Sequence, residues 1–204
     1  DAVREKLDFN DIVSMAVSST SGTVIPMDSN NVPLHNALMY SDKRSVEQAE
    51  KCTVAALKYH HSGFTGFNTS SALAKMVWFG DAYPDKVVKI HKWIHAADYI
   101  TGMLTGIWGV TDYTNAFKTG YDVRNYEWPE YLFTHLPLKK EWLPEVFSSG
   151  TVIGTLNKEV AVTLGLPERI KLTVGITDGC ASQIASGAVN PGDWNTTIGT
   201  TMVI

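Results

Sequence analysis

Apolar residues first gather over 12–17 (Ile12, Val13, Met15, Ala16, Val17), the texture of a buried strand, after a brief amphipathic stretch over 2–7. The small polar run Ser18, Ser19, Thr20, Ser21 and Gly22 ends that strand, and a second follows over 23–27 before the turn formers Asp28, Ser29, Asn30 and Asn31. The two strands are expected to pair as a hairpin. Another short strand is predicted over 33–40. A long helix is predicted over 45–61, where Val46, Ala49, Val54, Ala56 and Leu57 offer apolar faces and Gly63 is the stop. A loop over 63–69 leads to a helix carrying Leu73, Met76, Val77 and Phe79, with Thr69 or Ser70 as its cap. A third helix over 93–104 carries Ile94, Ala97, Ile100 and Leu104 ahead of Gly106, and a short one is predicted over 128–136.

Past Pro144 the pattern changes to short alternating elements: a strand over 151–153, a helix over 158–164, a strand over 171–176, a helix over 180–188 and a strand over 196–204. This is α/β alternation, and with no internal repeat, low-complexity tract or linker it predicts one packed unit with a helical insertion. A strand close to the start and an apolar run reaching the last residue both need neighbours to satisfy their backbones. The chain is therefore expected to be a fragment, or to receive the missing strands from a partner.

Composition narrows the function. With 204 residues, 44% of them hydrophobic, the chain is long enough for a real core. A formal net charge of -4 leaves no basic face for nucleic-acid phosphates or anionic lipid, so a small molecule is the expected partner. Cys52 and Cys180 are the only cysteines, both in segments of helical texture, and are expected to stay reduced. No run approaches a membrane span, the first residues lack the apolar centre of a signal peptide, and a cytoplasmic location is the default expectation.

Two segments carry candidate chemistry. Val174, Gly175, Ile176, Thr177 and Asp178 place an acid just beyond an apolar strand, where open α/β sheets bind their ligands. Asp178 there can accept a proton from a substrate hydroxyl, or can simply cap the helix that follows. Gly199, Thr200 and Thr201 form a turn whose hydroxyls and free N–H groups suit a phosphate, although such strings are also common in ordinary β-turns. His91, His95 and Asp98 lie close in sequence, but the glutamate of a zinc-protease motif is missing and Lys92 intervenes, so no metal site is expected there.

Several stretches in fixed order resemble the FGGY carbohydrate kinases, the family of xylulokinase, ribulokinase and glycerol kinase. Ser19, Thr20, Ser21 and Gly22 through Met27 and Asp28 resemble its sugar-contacting motif and the strand after it, and Met39, Tyr40, Ser41, Asp42, Lys43 and Arg44 resemble the segment that follows. Lys75 through Phe79, the run from Ala97 to Gly106 with its Asp98, Tyr99 and Ile100, and Thr111, Asp112, Tyr113, Thr114, Asn115 and Ala116 are similar to further family blocks. The last block runs from Gly175 and Asp178 through Gly187 and Gly192 to Gly199, Thr200 and Thr201.

The resemblance implies an α/β, ribonuclease-H-like (actin-like ATPase) fold with a helical insertion, incomplete in this chain. It implies a sugar-binding domain over 1–194 lacking its first strands, and over 195–204 the start of an ATP-binding domain. It implies ATP-dependent phosphorylation of a sugar hydroxyl with Mg²⁺, Asp178 as the catalytic base, and Gly199, Thr200 and Thr201 at the phosphate. Thr20, Ser21, Asp42, Asp112 and Asn115 are the implied sugar contacts. At Thr20 and Ser21 this chain departs from the Met-His pair of xylulokinases and the Arg-Glu pair of glycerol kinases, and the serine-rich form moves the expected substrate toward a ketopentose, D-ribulose or D-xylulose. Asp42 and Arg44 could equally be a surface ion pair, and the Asp112 to Asn115 segment could simply build turns. The competing expectation is a kinase remnant that binds or senses sugar without transferring phosphate. A homodimer is the assembly to test.

Overall fold

The computed structural model describes residues 6, 8–60, 64, 66–198 and 202–203, and of the strand residues from 197 onward only the backbone. In chain order the elements are β1 (Ser14–Ser19), β2 (Val24–Met27), α1 (Val46–Leu57), α2 (Ala72–Ala82), α3 (Pro84–Val87), β3 (Lys92–His95), α4 (Ala96–Thr105), β4 (Val110–Asp112) and α5 (Tyr113–Phe117). There follow α6 (Tyr131–Thr134), β5 (Glu145–Phe147), β6 (Val152–Thr155), α7 (Lys158–Leu164), β7 (Lys171–Thr177), α8 (Asp178–Ala185), β8 (Thr197–Ile198) and β9 (Met202–Val203).

The expected hairpin of the first two strands does not form. β1 pairs in parallel with β7, Ser14 opposite Lys171 and Ser19 opposite Thr177, while β2 pairs antiparallel with β3, Val24 opposite His95. The reason lies at Gly22. Its φ of +77° turns the chain sharply, and a Cβ there would stand 2.1 Å from the Ser70 carbonyl oxygen, so only glycine lets the turn press against the start of α2. Parallel pairing with a distant strand is invisible to local patterning.

β1, β7 and β6 form a three-stranded sheet in the order β1-β7-β6, with β6 antiparallel to β7. Between Ala16 and Ser18 the register slips, so that Val17 faces an extra residue of β7. Gly175 makes this bulge feasible: a Cβ there would lie 1.9 Å from the Val17 carbonyl oxygen.

Two other expectations are corrected. Over 33–40 there is no strand, only isolated bridges of Pro33 to Met27 and Leu38 to Val24. Trp93 and Ile94 belong to strand β3 rather than to the helix, which begins at Ala96; a short continuous apolar run does not distinguish the two states by periodicity alone. Most of the remaining predicted elements appear with shifted ends, and α7 spans the predicted 158–164, but the strand expected over 196–204 is instead the antiparallel pair β8 and β9, Thr197 opposite Val203, with 199–201 outside the described residues.

The main core fills the helical part, where Leu73, Met76, Phe79, Trp93 and Leu132 pack with α1 and α2 and with aromatic residues around them. A second, smaller cluster of Leu156, Ala161, Ile170 and Leu172 lies beneath the three-stranded sheet, with Met15 and Leu104 against it. Ile25, Met27 and Ile94, with Tyr99 and Trp108, form a third. Among the described residues no helix is long and apolar enough to cross a membrane.

Candidate functional site

β1 and β7 run in the same direction and end together, Ser19 beside Thr177. The chain segments that leave them, Thr20 to Gly22 and Asp178 onward, therefore emerge side by side at one edge, about one strand spacing of 4.8 Å apart. This is the carboxyl end of the parallel pair, where ligands of open α/β sheets sit.

Asp178 is the first residue of α8 and is exposed. Its Oδ1 accepts the N–H of Gly179 at 2.8 Å. No other described group bonds the carboxylate. Thr177, not Asp178, is the N-cap, and its side chain makes no capping bond. Asp178 thus lies inside the first turn, where a negative charge meets the positive end of the helix dipole.

Thr177 is itself held from below. Its N–H donates to Thr114 Oγ1 at 3.0 Å, and the same hydroxyl donates to Asp112 Oδ1 at 2.5 Å. Asp112 is buried and caps α5, accepting from the N–H groups of Thr114 and Asn115 at 2.7 and 3.1 Å and, through Oδ2, from Asn115 Nδ2 at 2.6 Å. The Asp112 to Asn115 segment therefore builds a cap, and through Thr114 it fixes the strand-to-helix junction that carries Asp178. Asn115 is fully buried, and among the described residues its Oδ1 has no partner. In this conformation both Asp112 and Asn115 stand behind the surface rather than on it. Thr114 was missed in the sequence because nothing local marks a side chain that bonds a backbone 63 residues away.

Across the mouth, Thr20 Oγ1 and Thr23 Oγ1 lie 3.0 Å apart, and Thr23 Oγ1 also accepts the N–H of Tyr40 at 3.1 Å. These bonds tie the Thr20 to Thr23 turn to the 39–44 loop. Ser21 is half-buried in the same turn. Asp42, half-buried in that loop, takes a forked pair of bonds from Arg44, Nε at 3.0 Å and Nη2 at 2.5 Å, and the guanidinium lies over the Trp78 ring at 4.0 Å from its centroid. The Arg44 hydrogen bonds hold the Asp42 carboxyl below the usual carboxylate range against the opposing effect of burial, and Lys75 adds a smaller pull in the same direction. The strand register thus sets Thr20 and Ser21 beside the start of α8 that carries Asp178, and the Tyr40 bond sets the loop of Asp42 against the same turn. Gly199, Thr200 and Thr201 lie outside the described residues.

His95 is engaged inside the fold. Its Nδ1 is 2.8 Å from Asp98 Oδ2 and 3.1 Å from Thr111 Oγ1, and its Nε2 is 2.9 Å from Thr119 Oγ1. These bonds join β3, α4 and β4 to the turn after α5. Cys52 is buried, with its thiol pushed up to about 12 by burial, and Cys180 is half-buried near the start of α8. A cleft of about 400 Å³ opens between Phe67, Phe117, Tyr121 and Tyr131. None of the sequence-predicted site residues lines it.

The N-terminal domain of the FGGY family of carbohydrate kinases matches residues 1–185, and the chain belongs to that family. Among its curated relatives, the xylulose kinase of Haemophilus influenzae is 27% identical over 202 residues, covering 94% of this chain and 40% of that protein. The gluconokinase of Bacillus licheniformis is 26% identical over 193 residues, covering 93% of this chain and 37% of that protein. The crystal structure of ligand-bound xylulose kinase from Lactobacillus acidophilus superposes with a TM-score of 0.81 at 26% identity, over 92% of this chain and 39% of that one. The chain thus spans about 40% of the length of the xylulose kinase it matches, and its ribonuclease-H-like, actin-like ATPase fold agrees with that of a solved FGGY kinase.

Proposed function

We propose that this chain forms the sugar-binding part of an ATP-dependent kinase that phosphorylates a hydroxyl of a ketopentose, D-ribulose or D-xylulose, in the cytoplasm. The observation that carries the reading is the exposed Asp178 just past the joint end of β1 and β7, beside the point where the turn of Thr20 and Ser21 leaves β1. Residues 1–194 make up the sugar-binding unit, and 195–204 lead into the ATP-binding one, with Gly199, Thr200 and Thr201 at the phosphates.

In this reading Thr20, Ser21 and Asp42 hold sugar hydroxyls, and Asp112 and Asn115 shape the cleft from within. Asp178 takes the proton of the attacking hydroxyl as its oxygen bonds phosphorus and the phosphorus bond to the leaving nucleotide oxygen breaks. The proton acceptor needs no unusual basicity, because the transition state is loose and the proton leaves late. ATP supplies the phosphoryl group and Mg²⁺ offsets its charge when they are bound. Among the described residues no three His, Cys, Asp or Glu side chains gather into a metal cluster. The exposed Asp178 carboxylate is the oxygen this chain would offer to a Mg²⁺ ion otherwise held by phosphate oxygens and water.

The ketopentose assignment rests on the small hydroxyl side chains at Thr20 and Ser21 and on the similarity to a xylulose kinase. The similar gluconokinase makes a sugar acid the competitor to exclude. Calorimetric titration with D-ribulose, D-xylulose, D-gluconate and glycerol, followed by ADP release with the same panel, tests it. Ketopentoses are expected to bind tightest. A preference for gluconate or glycerol would overturn the substrate while leaving the kinase class intact.

A further inference from the structure

The side of α2 that faces the core is apolar except at one position. Ala72, Leu73, Met76, Val77 and Phe79 are buried, and among them Lys75 is 1% exposed. Among the described residues no carboxylate bonds its amine. Nζ donates instead to two backbone carbonyls, Thr69 O at 2.7 Å and Ser71 O at 3.4 Å. Burial lowers the amine to about 8, Asp42 pulls it partly back up, and Lys118 pushes it further down. A fold gains nothing from a charge it disfavours, and a methionine would fill the same space without the desolvation cost.

The two carbonyls flank Ser70. Its own carbonyl oxygen is the atom that presses on Gly22, next to Thr20 and Ser21. On the far side the 68–71 turn is fixed by Asn68, whose Oδ1 accepts from Ser70 N and Ser70 Oγ at 2.9 and 2.6 Å. The ammonium thus gathers the backbone on which the Thr20 to Gly22 turn rests, and its field reaches Asp42 on the neighbouring loop.

We infer that Lys75 is a positioning residue of the sugar site, drawing the 69–71 turn against Gly22 so that Thr20 and Ser21 stand at the height needed to hold a sugar hydroxyl opposite Asp178. The inference rests on the proposed sugar-kinase function. Lys75 touches no substrate in it. The charged groups that act on the amine are Asp42, backed by Arg44, from the 39–44 loop and Lys118 from the segment after α5; the turn over 20–23 carries none.

Lys75→Met and Lys75→Arg in the whole protein test it, with three readouts: ketopentose affinity by calorimetry, amide hydrogen exchange, and thermal melting. Lys75→Met is expected to keep its melting temperature within a few degrees, to speed exchange in the 20–23 and 69–71 amides, and to weaken ketopentose binding about tenfold or more. Lys75→Arg, which keeps charge and donors, should recover part of that loss. In the unsubstituted protein affinity should fall as pH rises through about 8, where the folded amine loses its proton, and the Met variant should show no such step. Unchanged affinity and exchange in Lys75→Met would overturn the role. So would faster exchange spread over the whole chain together with a large drop in melting temperature, which would mark Lys75 as merely structural. A local change in exchange with no ketopentose bound by the unsubstituted protein would overturn the substrate reading and, with it, the sugar-site role.

Discussion

The helical part and the three-stranded sheet bury their residues to different depths. β2 is buried at all four positions and α2 at seven of eleven, around large side chains such as Trp93 and Phe79. In the sheet the central strand β7 buries Leu172, Val174 and Thr177, but β1 has no fully buried residue, and neither has α8, which follows β7 and starts with Asp178. The scaffold that holds the 69–71 turn is thus deeply packed, whereas the segment offered as chemical is lightly covered and kept in place by directed bonds. Stability and reactivity are assigned to different regions. A site that is to admit a ligand cannot be filled with protein.

Asp178→Asn should show the largest effect. Phosphoryl transfer in the whole kinase is expected to fall by about two to four orders of magnitude, the usual range for losing a general base. Melting temperature should hold, because the side chain is exposed and an Asn oxygen can still accept the Gly179 N–H. Steady-state turnover at saturating sugar and MgATP, with a melt alongside, checks both; near-normal turnover would remove Asp178 from the reaction.

Next come paired truncations in the two regions. Leu73→Ala, in the deep core, should cost about 3–5 kcal/mol, and Leu172→Ala, beneath the sheet, about 2–3 kcal/mol, because a thinner layer can relax around the lost volume. Urea unfolding of both variants measures the contrast. Equal losses would mean that the sheet is as tightly packed as the helical part.

The smallest effect should come from Thr114→Val, which keeps the shape and removes the hydroxyl. Leaving the Thr177 N–H and one Asp112 oxygen without that partner should cost about 1–3 kcal/mol. Turnover should fall further than sugar affinity, because Thr114 fixes the junction bearing Asp178 and not the turn bearing Thr20. Equal losses in both would place its influence elsewhere.

Much of this was legible in the sequence, and the failures share a cause. The helix over 158–164, the strand over 171–176, which runs one residue further to Thr177, and the candidate acid just past it follow from local periodicity and from the general placement of ligands in α/β sheets. The false hairpin of β1 with β2 arose because adjacency in sequence was the only partner information there, while the true partner lies more than 150 residues on. Around Trp93 the apolar run is of a length that suits a helix or a strand equally, so periodicity alone does not place it in β3. Lys75 was legible only as part of a family resemblance, and Thr114 only as one letter of a motif, since a side chain that bonds remote backbone leaves no periodic trace.

The pairing of Ser14 with Lys171 also bears on the order in which the chain comes together. The segment from β2 to the helical core closes with partners near in sequence, Val24 with His95 and α1 with α2, and can consolidate while the ribosome is still at work. Among the described strands β1 pairs only with β7, so that contact cannot close until residue 177 has been made. The turn of Thr20 and the start of α8 at Asp178 are therefore brought side by side after the local contacts of the helical core on which that turn rests.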